Sequence, residues 1–336
     1  MTNPSPSESK TAIVTGSAGF IGFHLSKRLL AQGWNVVGID ELNDYYAPAL
    51  KQARNKQLLP MPGYRFHQAD LAQPGGFSSL LSATPDVSAV FHLAAQAGVR
   101  MSLDQPALYV RRNIEATFQV IDAIQKLGGN LAKPTLFFAS SSSVYGNSNR
   151  IPFREDDPAD QPVSFYGATK RSCELLIRSY HAQFGLKASI LRLFTVYGPW
   201  GRPDMAISLF TKKILADETL DLFYAGRMTR DFTYVDDVVE SILRLQQKSH
   251  ALAPFGIYNV GGSQPRPLAD FVSAIEKACA TGKPLRTRNL PFQTGDVKIT
   301  HADSTLIERL TGFRPQTPLE TGVTRFVEWY RGYHHC

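Results

Sequence analysis

Near the N-terminus, a short β-branched segment leads into a turn with a glycine at every third position. The segment Thr11–Thr15 is followed by Gly16, Gly19 and Gly22, after which apolar residues recur at helical spacing. Glycines in this pattern permit a tight turn, close approach of the backbone to a phosphate group, and close packing of a helix on a strand. The N-terminus of the helix also offers unpaired N–H groups and the positive end of its dipole. The pattern therefore predicts a strand, a turn and a helix that bind the pyrophosphate of a dinucleotide.

Two carboxylates stand at the end of the next predicted strand, Asn35–Asp40. Asp40 and Glu41 follow the glycine turn at close to the roughly 20-residue offset of dinucleotide-binding proteins. They would accept hydrogen bonds from free ribose hydroxyls and repel a 2′-phosphate, so the pair favours NAD over NADP. Glu41 is also compatible with an ordinary acidic strand end. The other cofactor contacts expected along this edge are Gly16, Gly19, Phe20, Ile21, Gly22, Asp70, Leu71, Ala94 and Ala95.

Short β-branched runs alternate with helical patterns from Thr11 to about Phe194. This alternation is typical of βαβ units and predicts an α/β fold, namely a Rossmann-type doubly wound parallel sheet with helices on both faces. The predicted strands are Thr11–Thr15, Asn35–Asp40, Tyr64–Gln68, residues 89–93, residues 135–139 and Ala188–Leu193.

A second region begins after Tyr197, where glycines and prolines mark a loop. We assign residues 10–198 and 232–262 to an NAD-binding domain, and residues 199–231 and 263–336 to a smaller C-terminal α/β domain that binds the substrate. Residues 1–9 are expected to form a flexible tail. Pro318 is expected to be the first residue of a closing helix that docks on the core. The apolar stripe of that helix is Leu319, Val323, Phe326, Val327 and Tyr330.

Composition excludes several classes of protein. Hydrophobic residues make up 43% of the 336-residue chain, but no apolar run approaches the roughly 20 residues of a membrane helix, so no membrane partner is expected. The net charge of +7 is scattered without a basic block, which favours small anionic ligands over nucleic acid. Cys173, Cys279 and Cys336 are widely spaced and lack matched histidines, which predicts no metal site and favours a reducing, cytoplasmic compartment.

Two motifs predict the catalytic residues. Tyr166 and Lys170 lie four residues apart at the start of a predicted helix, so they share one face. An ammonium near a phenol stabilises the phenolate, and Tyr166 could then act as a base. Ser140, Ser141, Ser142 and Ser143 close the fifth strand, at the edge where doubly wound sheets bind ligands. Both Tyr166 and Lys170 are also expected to contact the cofactor.

The motifs TGSAGFIG, SSSSVYG and YGATK resemble those of the extended short-chain dehydrogenase/reductases, over about residues 10–333. Within that family the chain is most similar to the UDP-glucuronate 4-epimerases, through the stretches LNDYYAPALKQAR, HLAAQAGVR, LRLFTVYGPWGRPDMA, RDFTYVDDVV and GDVKITHAD. The resemblance implies that Ser141, Tyr166 and Lys170 are the catalytic set. It also implies that NAD oxidises the sugar at C4, that the 4-keto sugar turns its other face, and that the hydride returns.

The same resemblance helps to choose among related reactions. Dehydratases of the family have an Asp-Glu pair at the positions of Ser142 and Ser143, and the decarboxylases commonly have Glu at the second position. Retention of the uronate carboxylate requires its orientation to be fixed, and neutral hydroxyls would do so. Ser142, Ser143 and Thr195 are the candidates, with Ser141 assisting, although Thr195 would also suit an ordinary strand end. A UDP-glucuronate decarboxylase and a 4-epimerase of another UDP-sugar stay open as alternatives.

The remaining expectations concern the diphosphate, the uridine and the assembly. Arg230 is the first candidate for gripping the diphosphate, because a guanidinium binds phosphate oxygens bidentately. Arg202 and Arg100 are further candidates for the diphosphate, the carboxylate or closure of the site, and the resemblance implies that Asp296 contacts the uridine ribose. It also implies a homodimer through helices near residues 106–126 and 168–184. Relatives that bind NAD or RNA without turnover usually lack part of the catalytic set, which this chain retains.

Overall fold

The computed structural model describes residues 10–128, 132–292 and 295–336. The expected flexible tail, residues 1–9, lies outside them. The strands are β1 (Thr11–Thr15), β2 (Asn35–Asp40), β3 (Tyr64–Gln68), β4 (Val87–His92), β5 (Thr135–Ser141), β6 (Ala188–Leu193), β7 (Thr195–Tyr197), β8 (Leu220–Phe223), β9 (Thr229–Tyr234), β10 (Phe255–Val260), β11 (Pro265–Pro267) and β12 (Thr287–Leu290).

The helices are α1 (Phe20–Ala31), α2 (Pro48–Leu58), α3 (Gly76–Ala83), α4 (Met101–Asp104), α5 (Pro106–Tyr109), α6 (Ala116–Lys126), α7 (Phe165–Phe184), α8 (Ala206–Leu215), α9 (Val235–Gln247), α10 (Leu268–Cys279), α11 (Thr305–Thr311) and α12 (Leu319–His334). A wide helical turn, Val110–Glu115, joins α5 to α6, and a tight 3₁₀ turn, Ser142–Tyr145, follows β5. Within the described ranges, no helix is both long and apolar enough to cross a membrane.

A seven-stranded parallel sheet forms the centre of the molecule, in the order β10-β6-β5-β4-β1-β2-β3. The predicted Rossmann-type α/β class is confirmed. Four of the six predicted strands have the observed bounds, while β4 begins and ends earlier than predicted and β5 continues to Ser141. The sequence prediction missed β10, which pairs with β6 at the edge of the sheet.

Both faces of this sheet are covered by helices. Alternate residues of β1 point to opposite faces, so Ala12 and Val14 join one apolar layer and Ile13 joins the other. The first layer includes residues of α1 and α9, and the second includes residues of α3, α6 and α7. Because β1 is buried on both sides, its sequence is continuously apolar or β-branched rather than alternating.

Two small sheets build the second region. One has the order β11-β9-β7 and the other pairs β12 with β8. Helices α8, α10 and α12 enclose a third apolar cluster, into which Val323, Phe326 and Val327 are buried. The closing helix begins at Leu319, so Pro318 is its capping residue and not its first helical residue, because its ψ of 140° is extended. The division into two domains stays a proposal.

A buried arginine ties the first region to the loop that opens the second. Arg54, on α2, is fully buried and donates hydrogen bonds to the carbonyl oxygens of Ala18, Trp200 and Gly201. Its Nη1 also donates to the hydroxyl of Tyr46 at 2.7 Å. One side chain therefore holds the glycine turn against the loop after β7.

We expect Arg54→Met to destabilise the protein, because it removes these donors and leaves buried carbonyl oxygens unpaired. The expected loss of unfolding free energy is about 3 kcal/mol, measured by urea denaturation. The matched control is Lys56→Met on the exposed side of the same helix, which should change stability by less than about 0.5 kcal/mol. Equal stability of the two variants would contradict the role assigned to Arg54.

Candidate active site

A cavity of about 430 Å³ opens at the carboxyl ends of the parallel strands. Its wall combines the glycine turn, the ends of β2, β4, β5 and β6, the first turns of α7 and the loop after β7. Parallel strands bring all their carboxyl ends to one edge of the sheet, so residues distant in sequence meet there. The predicted site residues in its wall are Gly16, Gly19, Phe20, Ile21, Gly22, Asp40, Asp70, Leu71, Ala94, Ala95, Tyr166, Lys170, Thr195 and Arg202.

The glycine turn packs so closely that side chains would not fit. A Cβ on Gly22 would lie 2.1 Å from the carbonyl oxygen of Gly16, and one on Gly16 would lie 2.8 Å from the amide nitrogen of Ala94. Gly16 also has a φ of +70°, which disfavours other residues. Helix α1 begins directly after Gly19, so its first N–H groups face the cavity edge without intrahelical acceptors. This backbone cradle suits a pyrophosphate.

Asp40 is fixed by the backbone at the end of β2. Its carboxylate accepts hydrogen bonds from the amide nitrogens of Ala18, at 3.2 Å, and Leu42, at 2.9 Å. Burial raises the pKa of Asp40, while these two N–H groups and the charge of Lys51 oppose the rise. The carboxylate is therefore oriented before any ligand arrives.

Three cations near Asp40, Glu41 and Asp70 were missed by the sequence analysis. The Nη2 of Arg112, in the turn between α5 and α6, donates to Oε2 of Glu41 at 3.2 Å. Lys51 donates to the carbonyl oxygen of Asn43 at 2.8 Å. Asp70 likewise forms an ion pair with Arg111. No local sequence pattern indicates that Arg112 and Arg111 pair with Glu41 and Asp70. The arginines belong to a different helical segment, and only the folding of the chain places them near these carboxylates.

Tyr166 lies in the first turn of α7, which Ser164 caps by accepting a hydrogen bond from the amide of Gly167 at 3.0 Å. Lys170 follows one turn later and donates from Nζ to the carbonyl oxygen of Ala139 at 2.8 Å. Burial lowers the pKa of Lys170 to about 8. Burial also raises the pKa of Tyr166, against which the charge of Arg202 and a hydrogen bond with Ser141 act. Tyr166, Lys170 and Ser141 are thus brought together.

The serine run divides between β5 and the tight turn after it. The hydroxyl of Ser141 lies 3.1 Å from that of Ser143 and accepts the amide N–H of Ser143 at 3.1 Å. The cavity wall includes Ser140 but not Ser141, Ser142 or Ser143. Thr195, at the start of β7, is in the wall.

The three candidate arginines have different surroundings. Arg202 is in the cavity wall and forms two hydrogen bonds with Asp204, at 3.0 and 2.7 Å. Arg230 pairs with Asp296 at 2.6 Å, so two residues predicted separately contact each other, although neither is in the cavity wall. The guanidinium of Arg100 lies 4.9 Å from the ring centroid of Phe223 and is also outside the wall.

His92 supports the site from below. Its ring nitrogens lie 2.7 Å from the hydroxyl of Thr15 and 3.1 Å from that of Thr117, and burial lowers its pKa to about 3. A neutral ring therefore links β1 and β4 to α6. Among the residues that the structure describes, no group of three or more His, Cys, Asp or Glu side chains could hold a metal ion.

Comparisons with known proteins agree with this geometry. The model of the NAD dependent epimerase/dehydratase family matches residues 12–261. A probable UDP-glucuronate 4-epimerase of Rhizobium meliloti is 43% identical over 335 residues, covering 95% of this chain and 96% of the relative. UDP-glucuronate 4-epimerase 3 of Arabidopsis thaliana is 38% identical over 97% of this chain and 77% of its own length.

Solved structures give the same result. The UDP-glucuronic acid 4-epimerase of Bacillus cereus, in complex with UDP-glucuronic acid and NAD, superimposes with a TM-score of 0.88. It is 34% identical, and the match covers 96% of this chain and 99% of that one.

Proposed function

The chain belongs to the NAD dependent epimerase/dehydratase family, and from this premise we propose that it is a UDP-glucuronate 4-epimerase. It converts UDP-glucuronate to UDP-galacturonate through a 4-keto intermediate, with NAD as cofactor and with retention of the carboxylate. One observation carries the proposal. Tyr166 and Lys170 lie in the wall of one cavity, Ser141 acts on Tyr166 from beside that wall, and serines occupy positions 142 and 143, where elimination or decarboxylation would use carboxylates.

When bound, NAD would supply the hydride acceptor for oxidation of the sugar at C4 and the hydride donor for its reduction on the opposite face. The glycine turn would hold its pyrophosphate, and Asp40 would accept hydrogen bonds from the adenosine ribose. Asp70 and Leu71 would flank the adenine, while Ala94 and Ala95 leave room for the cofactor. The fit rests on the close contacts at Gly16 and Gly22, which leave only backbone along this edge of the cavity.

Tyr166 takes the proton of the C4 hydroxyl and later gives it back. Its phenolate has to form in a buried place, and burial raises the pKa of Tyr166. The charge of Arg202 acts against that rise, and we propose that the ammonium of Lys170, which donates to the carbonyl oxygen of Ala139, also stabilises the phenolate. We propose that Ser141, which acts to lower the pKa of Tyr166, binds the reacting oxygen.

If the carboxylate is to be retained, its orientation must be fixed by groups that do not neutralise its negative charge. A 4-keto uronate is a β-keto acid, and it loses carbon dioxide when the bond to the carboxylate aligns with the carbonyl π system. Thr195 is in the cavity wall, so its hydroxyl is the first candidate for holding the carboxylate out of that alignment. Ser142 and Ser143, with Ser141, complete the set.

The diphosphate would be bound by arginine. Arg230 is our first candidate. Its guanidinium is paired with Asp296, so binding of the diphosphate would require this hydrogen bond to be released or shared. Asp296 is the candidate for the uridine ribose. Arg202 and Arg100 are proposed for the diphosphate, for the carboxylate or for closure of the site, and only Arg202 of the two is in the cavity wall.

Two further proposals concern the setting of the enzyme. We infer a homodimer, because α6 and α7 lie side by side and carry the exposed apolar residues Phe118, Leu175 and Phe184. We infer a cytoplasmic location from Cys173, Cys279 and Cys336, which form no disulfide in the described structure.

Dimerisation can be tested by analytical ultracentrifugation. The native protein should sediment at about twice the 37.2 kDa mass of one chain. Phe118→Glu combined with Leu175→Glu should yield monomers, because two charges would be buried in each half of the interface. Leu59→Glu, at an exposed apolar residue of the turn after α2, is the control and should remain dimeric. A monomeric native protein would rule the dimer out.

The activity is tested by incubating the purified protein anaerobically with UDP-glucuronate and catalytic NAD, followed by chromatography and proton NMR of the sugar. We expect an equilibrium mixture with UDP-galacturonate and little pentose. Tyr166→Phe should retain binding of both ligands while kcat falls by about 10³-fold, since the proton acceptor is gone. UDP-xylose or its 4-keto form as the main product would favour the decarboxylase. No turnover would direct attention to UDP-galactose and UDP-N-acetylhexosamines.

The partition between products tests Thr195. Thr195→Asn should raise the ratio of pentose to UDP-galacturonate by about 10-fold, because the carboxylate loses a neutral hydroxyl of the right reach. Thr195→Ser keeps the hydroxyl and should stay within about 2-fold of the native ratio. If Thr195→Asn left the ratio unchanged, Thr195 would not hold the carboxylate.

A further inference from the structure

A buried carboxylate lies one helical turn beyond Lys170 on α7. The side chain of Glu174 is 1% exposed. It accepts hydrogen bonds from the hydroxyl of Ser140 at 2.5 Å and from Nη1 of Arg171 at 2.9 Å. Nε and Nη2 of Arg192 add two more, at 3.0 and 2.9 Å, in a parallel fork. Four donors therefore fix both carboxylate oxygens.

These donors come from the elements that carry the reacting groups. Helix α7 carries Tyr166 and Lys170, β5 ends at Ser141 directly after Ser140, and β6 contains Arg192 three residues before Thr195. Lys170 grips the same end of β5 through the carbonyl oxygen of Ala139. Two consecutive turns of α7 are thereby bound to two consecutive residues of β5.

The network continues away from the cavity. The guanidinium of Arg192 lies 4.7 Å from the ring centroid of Tyr145, whose hydroxyl donates to Oδ1 of Asn259 at 2.7 Å. The backbone N–H of Asn259 in turn donates to Oε1 of Glu155 at 2.9 Å. The Glu174 carboxylate is thus connected to β10 through Arg192 and Tyr145, on the side away from the cavity. From there it can support the residues that line the cavity.

The charge of Glu174 acts in addition to its hydrogen bonds. Burial raises the pKa of Glu174, but hydrogen bonds and the charge of Arg192, with hydrogen bonds from Ser140 and Arg171, outweigh it and hold that pKa below its usual value. Glu174 is therefore an anion near Lys170, whose pKa burial lowers to about 8 and whose charged form Glu174 and Cys173 support. Neutral His92 on β4 and Tyr166 on α7 are the other titratable groups near this ammonium.

We propose that Glu174 is a positioning residue for the epimerase reaction. It aligns Tyr166, Ser141 and Thr195 through α7, β5 and β6, and its negative charge favours the protonated form of Lys170. The inference rests on the proposed function, since the residues it aligns are those assigned to the reaction there. Arg192 supplies the positive charge that offsets the cost of burying the Glu174 carboxylate, so the two residues act as a unit.

The principal test is Glu174→Gln in the NAD-loaded protein. The amide keeps the shape but loses the charge, so Lys170 should lose its proton at lower pH. We expect kcat to fall about 30-fold, KM to change less than about 3-fold, and the alkaline limb of the kcat profile to move down by about one pH unit. The matched control is Glu240→Gln, because Glu240 on α9 also pairs with two arginines, Arg28 and Arg244, and is not in the cavity wall. It should leave the profile unchanged.

A second variant guards against misfolding, because Glu174→Gln leaves the guanidinium of Arg192 buried without a counter-charge. Glu174→Gln with Arg192→Met removes both charges and should restore the melting temperature towards the native value. The acid-ward shift of the alkaline limb should persist. Native kcat and native pH profile in either folded variant would overturn the proposal, and so would a loss of kcat with an unshifted limb.

A third readout does not depend on turnover. The pH dependence of Lys170 acetylation by acetic anhydride, followed by peptide mass spectrometry, reports the protonation of the amine. The midpoint should lie near 8 in the native protein and at lower pH in Glu174→Gln. If the native enzyme did not turn over UDP-glucuronate, the proposed function would fail while this shift still tested Glu174. An unchanged midpoint would remove the electrostatic role.

Discussion

The site depends on an ammonium that is almost fully buried at the edge of the sheet. Lys170 is 3% exposed, and removing a cation from water costs several kcal/mol unless its donors are satisfied. The carbonyl oxygen of Ala139 lies just beyond Phe138, where the pairing of β5 with β4 stops, while β5 stays paired with β6 as far as Ser141. The ammonium therefore requires both α7 and the end of β5 in their observed places, and the residues beside it, Tyr166 and Ser141, are located by the same requirement.

The central sheet was predictable from sequence because buried parallel strands have a continuous apolar and β-branched pattern, with turns at both ends. That reasoning found β1, β2, β3 and β6 with their observed bounds. It failed at β10, which has the sequence FGIYNV and lies at the edge of the sheet. No glycine turn or helix start comes directly before this segment to mark it as a strand. The capping position of Pro318 was missed by one residue, since the sequence does not reveal whether ψ is already helical there.

The partners of the charged residues could not be predicted. The glycine turn, Asp40, Tyr166 and Lys170 are recognisable because their spacing is local, within one βα unit or one helical turn. Arg54 reaches the carbonyl of Trp200, Arg112 reaches Glu41, and Arg192 reaches Glu174, and each pair joins different elements. Such pairings follow from tertiary packing, where any of the 36 Lys and Arg residues is a possible partner for a given carboxylate. Sequence reasoning can thus propose reacting groups from local spacing, but not the groups that support them.

The division between charged and neutral groups in the cavity has a chemical logic. A strong ion pair with a full positive charge would neutralise the carboxylate of the uronate. The ion pair would then also determine the conformation of that carboxylate. Arg202 is already shared with Asp204, so an anionic group of the substrate that approaches it meets a guanidinium whose charge is partly compensated. In the proposed reaction, the hydroxyl of Thr195 would then direct the carboxylate by geometry instead of by charge. In the proposed reaction, the buried pair of Glu174 and Arg192 would act on Tyr166 and Lys170 and not on the sugar.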